Sequence, residues 1–120
     1  MASNAPRAVA DAVAALAAKS QAPHFLVVYA SIVNGRSWCG DCIRAEPLIQ
    51  EKFPAGEQTR LTVQYAGDRE TWRSSENEWR KFGVPALPTL YKVTADGTWS
   101  QLVEGEVYDQ KKLDAFVGTQ

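Results

Sequence analysis

The chain has 120 residues, a hydrophobic content of 45% and a formal net charge of -1 at pH 7. A length of this order supports one hydrophobic core, so we expect a single domain over residues 1–120, and a monomer. Lysine and arginine form no basic patch of the kind that nucleic acids bind, and no apolar run approaches the ~20 residues of a membrane span. We therefore expect neither a nucleic-acid-binding protein nor an integral membrane protein.

The alanine-rich segment 8–18 is similar to the apolar core of a signal peptide, but Asp11 interrupts it and only Arg7 precedes it as a basic residue. We predict a helix of the mature protein over 6–19, with a transit peptide as the alternative. Ser3 or Asn4 can cap this helix. Its apolar face is predicted from four positions at helical spacing: Val9, Val13, Leu16 and Ala17.

The nearly continuous apolar run over residues 24–30 is typical of a strand covered on both faces. Asn34 and Gly35 form a turn dipeptide, which predicts a short loop over 31–37. Helical spacing then predicts a helix over 42–53 with Pro47 as a kink. The apolar positions of this helix are Ile43, Leu48, Ile49 and Phe53.

The second half of the chain starts with a strand pattern over 60–66 and a polar stretch from Gly67. Ser75 can cap a short helix that Gly83 ends. The remaining predicted elements are this helix with Trp79 and Phe82, strands over 88–94 and 98–104 joined at Asp96-Gly97, and a helix over 109–117 with Leu113, Phe116 and Val117 on one face. This order predicts an α/β fold, a mixed sheet of about four strands with helices on both faces.

Two thiols, Cys39 and Cys42, are the only cysteines and lie three positions apart where a strand gives way to a helix. Both sulfurs can share the first helical turn and form a reversible disulfide. The helix start favours an anion, which lowers the pKa of Cys39 and makes it the candidate nucleophile. Cys42 is predicted to be more buried and to attack the mixed disulfide afterwards.

A Cys-x-x-Cys pair can also be half of a zinc site. Zinc needs four ligands, and the only other soft ligand is His24, which is distant in sequence. The same histidine could suggest a Cys-His hydrolase, but a histidine at a strand start is usually structural. We therefore expect no metal and no bound cofactor.

The string 37–42 (Ser-Trp-Cys-Gly-Asp-Cys), the following Ala45-Glu46-Pro47, the segment 77–80 and Leu87-Pro88-Thr89 together resemble the Clot-type thioredoxin-related family. The resemblance covers about residues 25–116. It implies a thioredoxin-like fold and a cytoplasmic protein-disulfide reductase. It also implies that thioredoxin reductase and NADPH recharge the dithiol, and that the substrates are disulfide-containing proteins or small molecules. The sequence shows no strand before the first helix, so we expect the edge strand of a full thioredoxin fold to be missing or reduced.

The resemblance also assigns site residues around the cysteines. It implies a cis bond between Leu87 and Pro88, opposite the cysteines, where the substrate backbone can pair. Trp38 is expected to shield the site. Gly40 stands where the family usually has proline, which loosens the first helical turn.

Asp41 lies between the two thiols in the motif. If Asp41 is functional, its charge opposes ionisation of Cys39 and disfavours acidic substrates. The alternative interpretation is that Asp41 only starts the helix. The buried acid that ordinary thioredoxins carry on the central strand has no counterpart, because Val27 and Val28 occupy the corresponding positions. Proton transfer to Cys42 must then use water, Asp41 or another group.

Two other functions remain open from the sequence. One is a binding module that keeps the fold but is inactive or weakly active in redox exchange, although such a module has no need for a second sulfur. The other is a peroxidase, for which Arg36 and Arg44 are the nearby arginines but neither is evidently beside the thiol.

Overall fold

The computed structural model describes residues 5–54 and 60–118. The proposed caps Ser3 and Asn4 therefore lie outside the described residues. The elements are α1 (Ala5–Ser20), β1 (His24–Tyr29), β2 (Ile32–Val33), β3 (Arg36–Ser37), α2 (Gly40–Lys52), β4 (Leu61–Tyr65), α3 (Arg69–Arg73), α4 (Glu78–Phe82), β5 (Thr89–Val93), β6 (Trp99–Val103), a 3-10 turn (Glu104–Glu106) and α5 (Gln110–Val117).

The main sheet, within the described residues, has four strands in the order β4-β1-β5-β6. Strand β1 pairs parallel with β4 and antiparallel with β5, and β5 and β6 form an antiparallel hairpin. Every residue of β1 is buried, as expected for a central strand covered on both faces. The mixed sheet predicted from the sequence is therefore confirmed.

Helices cover both faces of this sheet. On one face, the ring of Phe25 lies 5.0 Å from Phe53 at the end of α2 and 6.1 Å from Phe116 of α5. Tyr91 of β5 pairs with Leu26 of β1, so its side chain points to the face opposite that of Phe25. There its ring contacts the ring of Phe82 in α4. Helix α1 contacts β1, β5 and α4 and lies on that second face.

The apolar face of α1 differs from its sequence prediction. Leu16 is exposed, and Val9 is only partly buried. The residues that α1 buries are Pro6, Ala10, Val13 and Ala17. The prediction is therefore confirmed for Val13 and Ala17 and wrong for Leu16, because the small Ala10 lies on the buried face and Leu16 does not.

A two-stranded ribbon replaces the predicted loop over 31–37. Ile32 pairs with Ser37, and Val33 pairs with Arg36. The turn residues Asn34 and Gly35 have positive φ angles of 52° and 80°. Two-residue hairpin turns with both φ angles positive favour the sequence Asn-Gly. The dipeptide that predicted a loop therefore forms the turn of a hairpin.

Helix α2 begins at Gly40, two residues before the predicted start, because Cys39 is its N-cap. Ile43 was predicted to be buried but is 55% exposed. The buried side of α2 carries Cys42, Ala45 and Ile49, and Phe53 at its C-cap is also buried, so the prediction is confirmed for Ile49 and Phe53. It was wrong about Ile43 because two small side chains, which carry a weak apolar signal, are buried on this face instead.

The segment between β4 and β5 holds two short helices. Asp68 caps α3, which the sequence analysis missed, by accepting a hydrogen bond from the Thr71 N–H at 2.8 Å. The cap of α4 is Asn77, so the prediction of Ser75 was wrong. The end of α4 at Gly83, with a φ of 121°, agrees with the prediction.

The C-terminal elements follow the predicted order. The hairpin β5–β6 turns at Asp96-Gly97, and α5 starts after its N-cap Asp109. Helix α1 is the first described element, and the expectation of a missing edge strand involves residues outside the described part. Among the described helices, none has the length and apolar content needed to cross a membrane.

Candidate functional site

Cys39 follows the end of the ribbon by two residues and caps α2, so its sulfur faces the free N–H groups of the first helical turn. Its Sγ accepts a hydrogen bond from the backbone N–H of Cys42 at 3.1 Å. Its own N–H is bound by Ser37 Oγ at 3.2 Å, which holds the capping conformation. The positive end of a helix and a donated N–H both stabilise a thiolate.

The two sulfurs differ in acidity. The hydrogen bond from the Cys42 side chain lowers the pKa of Cys39 to about 7, and the backbone N–H of Cys42 acts in the same direction. Burial and the charge of Asp41 oppose this shift. Cys39 is therefore partly ionised at neutral pH.

Cys42 lies one turn further into α2 and is 3% exposed, against 8% for Cys39. Its Sγ accepts a hydrogen bond from the Ala30 N–H, just after β1, at 3.4 Å. Its hydrogen bond to Cys39 and its burial both raise the pKa of Cys42. At neutral pH this thiol keeps its proton, whereas Cys39 is partly ionised.

Leu87 and Pro88 lie on the other side of the Cys39 sulfur. The peptide bond between them is cis. The Leu87 carbonyl oxygen is 3.7 Å from Cys39 Sγ, and the Pro88 carbonyl accepts the Glu104 N–H at 2.8 Å. The structure thus brings together Cys39, Cys42 and the Leu87-Pro88 pair, although Cys39 and Leu87 are 48 residues apart in the sequence.

Trp38 is partly buried and is held on two sides. Its indole Nε1 donates a hydrogen bond to the Gly67 carbonyl at 3.2 Å, and the Arg69 guanidinium lies 5.6 Å from its ring centroid. Gly40 opens α2, and a Cβ added there would come no closer than 4.0 Å to the Arg44 side chain. The absence of a side chain at Gly40 is therefore not required by space.

Asp41 is tied to the far end of the chain. Its Oδ1 accepts a hydrogen bond from the Tyr108 hydroxyl at 2.8 Å and one from Arg44 Nη1 at 3.3 Å. The hydrogen bond to Asp41 raises the pKa of Tyr108. Sequence reasoning missed Tyr108, since it follows a 3-10 turn that no local pattern relates to the cysteines.

An open groove of about 470 Å³ lies in front of Cys39. We call it the front groove. Arg69, Trp72 and Arg73 of α3 form one wall, which could be found from the sequence only if Asp68 is read as a helix cap. The complete lining is Trp38, Cys39, Gly40, Asp41, Arg69, Trp72, Arg73, Pro85, Ala86, Leu87 and Glu104.

The zinc and hydrolase alternatives gain no support from the position of His24. Its Nε2 lies 3.1 Å from Ser20 Oγ, at the opposite end of β1 from the Ala30–Cys42 contact. In residues 5–54 and 60–118, no group of three or more His, Cys, Asp or Glu side chains is arranged to hold a metal ion. The two arginines considered for a peroxidase lie elsewhere: Arg44 contacts Asp41, and Arg36 belongs to the ribbon.

Comparison with solved structures identifies the fold. Trxlp from Edwardsiella tarda matches with a TM-score of 0.57 and 23% identity, covering 91% of this chain and 94% of that one. Mitochondrial thioredoxin 3 from Saccharomyces cerevisiae matches with a TM-score of 0.55 and 16% identity, covering 92% and 86%. At these identities the likeness concerns the fold, which is that of thioredoxin, as the sequence predicted.

Relatives found by sequence comparison narrow the assignment from a fold to a protein family. The thioredoxin-like protein Clot of Arabidopsis thaliana is 40% identical over 81 residues, which cover 62% of this chain and 59% of that protein. Thioredoxin domain-containing protein 17 of Danio rerio is 36% identical over 77 residues, or 62% and 60%. The chain thus spans about three fifths of the length of these two relatives. A thioredoxin domain-containing protein of Schizosaccharomyces pombe is 32% identical over 99 residues, or 76% and 80%.

A thioredoxin fold with a pair of cysteines at the start of α2 defines a thioredoxin-like redox protein, and hence an oxidoreductase in the general sense. The family model of the thioredoxin domain of thioredoxin domain-containing protein 17-like proteins matches residues 5–118. The chain therefore belongs to this family. Because the Arabidopsis relative is a Clot protein, the Clot-type resemblance is confirmed.

Proposed function

We propose that the protein reduces disulfides by thiol-disulfide exchange through Cys39 and Cys42. The observation that carries this proposal is the contrast between the two sulfurs. The pKa of Cys39 is lowered to about 7, whereas that of Cys42 is raised. One sulfur is available as an anion at neutral pH, and the second is kept close to it as a thiol.

The reaction has two exchange steps. In the first, the Cys39 thiolate attacks one sulfur of the substrate disulfide; the substrate S–S bond breaks, and the other sulfur leaves with the electron pair and takes a proton from solvent. In the second, Cys42 loses its proton and attacks Cys39 Sγ, which releases the second substrate thiol. The protein ends with a Cys39–Cys42 disulfide, and the substrate has gained two electrons and two protons.

The front groove is the proposed substrate site. The Leu87 carbonyl oxygen, 3.7 Å from Cys39 Sγ, can accept an N–H from an extended substrate backbone. Pro88 has no N–H of its own to compete for that position. We expect disulfide-containing proteins or small molecules as substrates, and no bound cofactor.

We further propose that thioredoxin reductase, using NADPH, reduces the Cys39–Cys42 disulfide after each turnover, and that the protein works as a monomer in the cytoplasm. Family membership supports these statements. The competing electron source is glutathione with glutaredoxin.

The test is to incubate the oxidised protein with NADPH and thioredoxin reductase, and separately with NADPH, glutathione reductase, glutathione and glutaredoxin. NADPH loss is followed with insulin or cystine as the acceptor. We expect consumption in the first mixture that depends on both protein and acceptor. The Cys39→Ser variant is the matched control and should reduce the rate to background.

Two outcomes would contradict the proposal. NADPH consumption only in the mixture with glutathione and glutaredoxin would show that thioredoxin reductase is not the electron source. No consumption in either mixture, with both cysteines intact, would favour a binding module that keeps the thioredoxin fold without turnover.

A further inference from the structure

The second exchange step raises a problem of proton transfer at Cys42. In the free dithiol, the Cys42 side chain is hydrogen-bonded to Cys39, whose thiolate can accept it. Once Cys39 is bonded to a substrate sulfur, that anionic acceptor no longer exists. The other group at Cys42 Sγ is the Ala30 N–H, which is a donor and cannot take a proton. The thiol then needs a base from another direction.

A second cavity, of about 290 Å³, reaches Cys42 from the side away from the front groove. We call it the rear cavity. Cys39 is not part of its lining, just as Cys42 is not part of the lining of the front groove. The walls of the rear cavity are mostly apolar, but Arg36, Ser37 and Glu46 are among them, and a space of this volume has room for several water molecules. Its lining is Tyr29, Ala30, Ile32, Gly35, Arg36, Ser37, Cys42, Ile43, Glu46 and Tyr65.

Glu46 is the carboxylate of the rear cavity. It follows Cys42 by four residues on α2, so both side chains lie on the same side of the helix, where the Cβ atoms of such pairs are about 5–6 Å apart. Glu46 is exposed to solvent at its outer side. A carboxylate in this position can take a proton from inside and pass it to bulk water.

We propose that Glu46 accepts the proton of Cys42, through water in the rear cavity, when Cys42 attacks the mixed disulfide. This inference rests on the proposed function. The Cys42 S–H bond breaks and its proton goes to the carboxylate; the Cys42 sulfur bonds to Cys39 Sγ; the bond from Cys39 to the substrate breaks, and its electron pair leaves with the substrate thiolate. The thiolate takes a proton from water, and Glu46 returns its proton to solvent.

The other groups near Cys42 are weaker candidates for the base. Burial, followed by the charges of Glu46 and Cys42, raises the pKa of Tyr29, so this residue stays a neutral phenol. The Asp41 carboxylate faces the front groove and already accepts hydrogen bonds from Tyr108 and Arg44. Among the described residues, the charged or titratable groups that line the rear cavity or act on Cys42 are Tyr29 of β1, Arg36 of β3, Tyr65 of β4, and Cys39, Asp41 and Glu46 at and within α2.

The test follows the two steps separately with dithiodipyridine, a neutral disulfide that releases an absorbing thiopyridone at each step. Attack by Cys39 gives the first release, and attack by Cys42 on the adduct gives the second. The Glu46→Gln variant should leave the first phase unchanged and slow the second on the order of 100-fold at neutral pH, the range of general base catalysis. The unchanged first phase also shows that the variant is folded.

The pH profile separates a proton acceptor from a structural residue. In the parent protein, the second phase should slow as acid protonates Glu46. The Glu46→Gln variant should lack this acid limb and approach the parent rate in alkali, where hydroxide ionises Cys42 directly. Glu46→Asp should restore part of the rate. Glu51→Gln, which removes one charge from the same helix outside the cavity, is the matched control and should behave as the parent.

Two results would overturn the inference: a second phase in Glu46→Gln with the parent rate and profile, or an equal slowing by Glu51→Gln. Failure of the proposed function is distinguishable, because dithiodipyridine requires no reductase. If only the second phase depends on Glu46 but NADPH-coupled reduction is absent, the proposed function fails and the assignment of Glu46 holds. If NADPH-coupled reduction occurs and Glu46→Gln is normal, only the assignment of Glu46 fails.

Discussion

The hydroxyl of Tyr108 donates a hydrogen bond of 2.8 Å to the Asp41 carboxylate, across a separation of 67 residues. This contact joins the segment before α5 to the first turn of α2, where Cys39 is the cap. Together with Arg44, Tyr108 holds the Asp41 charge at a defined place beside the reactive sulfur. The acidity of Cys39 and the charge of the front groove both depend on that placement.

The first prediction concerns Asp41 and the acidity of Cys39. Because the Asp41 charge raises the pKa of Cys39, Asp41→Asn should lower it below its value of about 7. Asparagine can still accept the Tyr108 hydrogen bond through its amide oxygen. Alkylation by iodoacetamide rises as pH passes through the thiol pKa, so the variant should react faster than the parent below pH 7, and the difference should fade well above pH 7, where both thiols are ionised. Asp114→Asn, on α5, is the control, and an unchanged midpoint in Asp41→Asn would contradict the prediction.

The second prediction concerns substrate charge. The sequence predicts that Asp41 disfavours acidic disulfides, and the structure adds two cations, Arg69 and Arg73, to the same groove. Asp41→Asn should therefore raise the rate on an acidic peptide disulfide relative to a basic one, whereas Arg73→Gln should lower it. Both effects should fade with added salt, because the Debye length is about 8 Å at physiological ionic strength. Charge preferences that are equal in all three proteins would show that these side chains do not contact the substrate.

The third prediction assigns the order of attack. Cys42→Ser should still react with a disulfide substrate and accumulate a mixed disulfide at Cys39, because the resolving sulfur is missing. Cys39→Ser should form no adduct at a comparable rate, since Cys42 is buried and its pKa is raised. Intact-mass spectrometry after brief exposure to the substrate measures both. An adduct on Cys39→Ser and none on Cys42→Ser would reverse the two assignments.

The fourth prediction concerns Asn77, a buried residue that links the β4 end to α4. Its Nδ2 donates to the carbonyls of Ala66 and Thr71, and its Oδ1 accepts the N–H groups of Trp79 and Arg80. Asn77→Ala should lower the free energy of unfolding by about 3 kcal/mol, because it removes a helix cap and leaves a buried carbonyl without its donor.

Urea denaturation measures this change. The control is Asp68→Ala, which removes the exposed cap of α3 and should cost only about 1 kcal/mol. Equal losses in the two variants would mean that the hydrogen bond from Asn77 to Ala66 adds nothing to the cap.

The fifth prediction concerns His24 and the pH dependence of stability. Burial and then the Arg60 charge lower the pKa of His24 from its ordinary value of 6.5. Between the folded and unfolded pKa values, the unfolded chain binds more protons, so the free energy of unfolding falls as pH drops below 6.5. Denaturation at a series of pH values should show this decline in the parent and a smaller slope in His24→Gln. The same slope in both would assign the acid sensitivity to other groups.

The sequence alone determined those features that depend on neighbours along the chain. The central strand was predicted because its residues form one apolar run, which is typical of a strand that is buried on both faces. Cys39 and Cys42 could be paired because a spacing of three residues brings them together in any helix, whatever lies around it. Leu87 and Pro88 were found through family resemblance, since nothing local relates them to the cysteines.

Only the tertiary structure decided how the helices are rotated on the sheet and which distant groups meet. Ile43 has a strong apolar signal but is exposed, whereas the small Ala45 is fully buried. Packing depends on the fit of one element against another, and hydrophobic periodicity does not record that fit. For the same reason, the meeting of Tyr108 with Asp41, and of Glu46 with the cavity behind Cys42, could be found only after the chain had been folded.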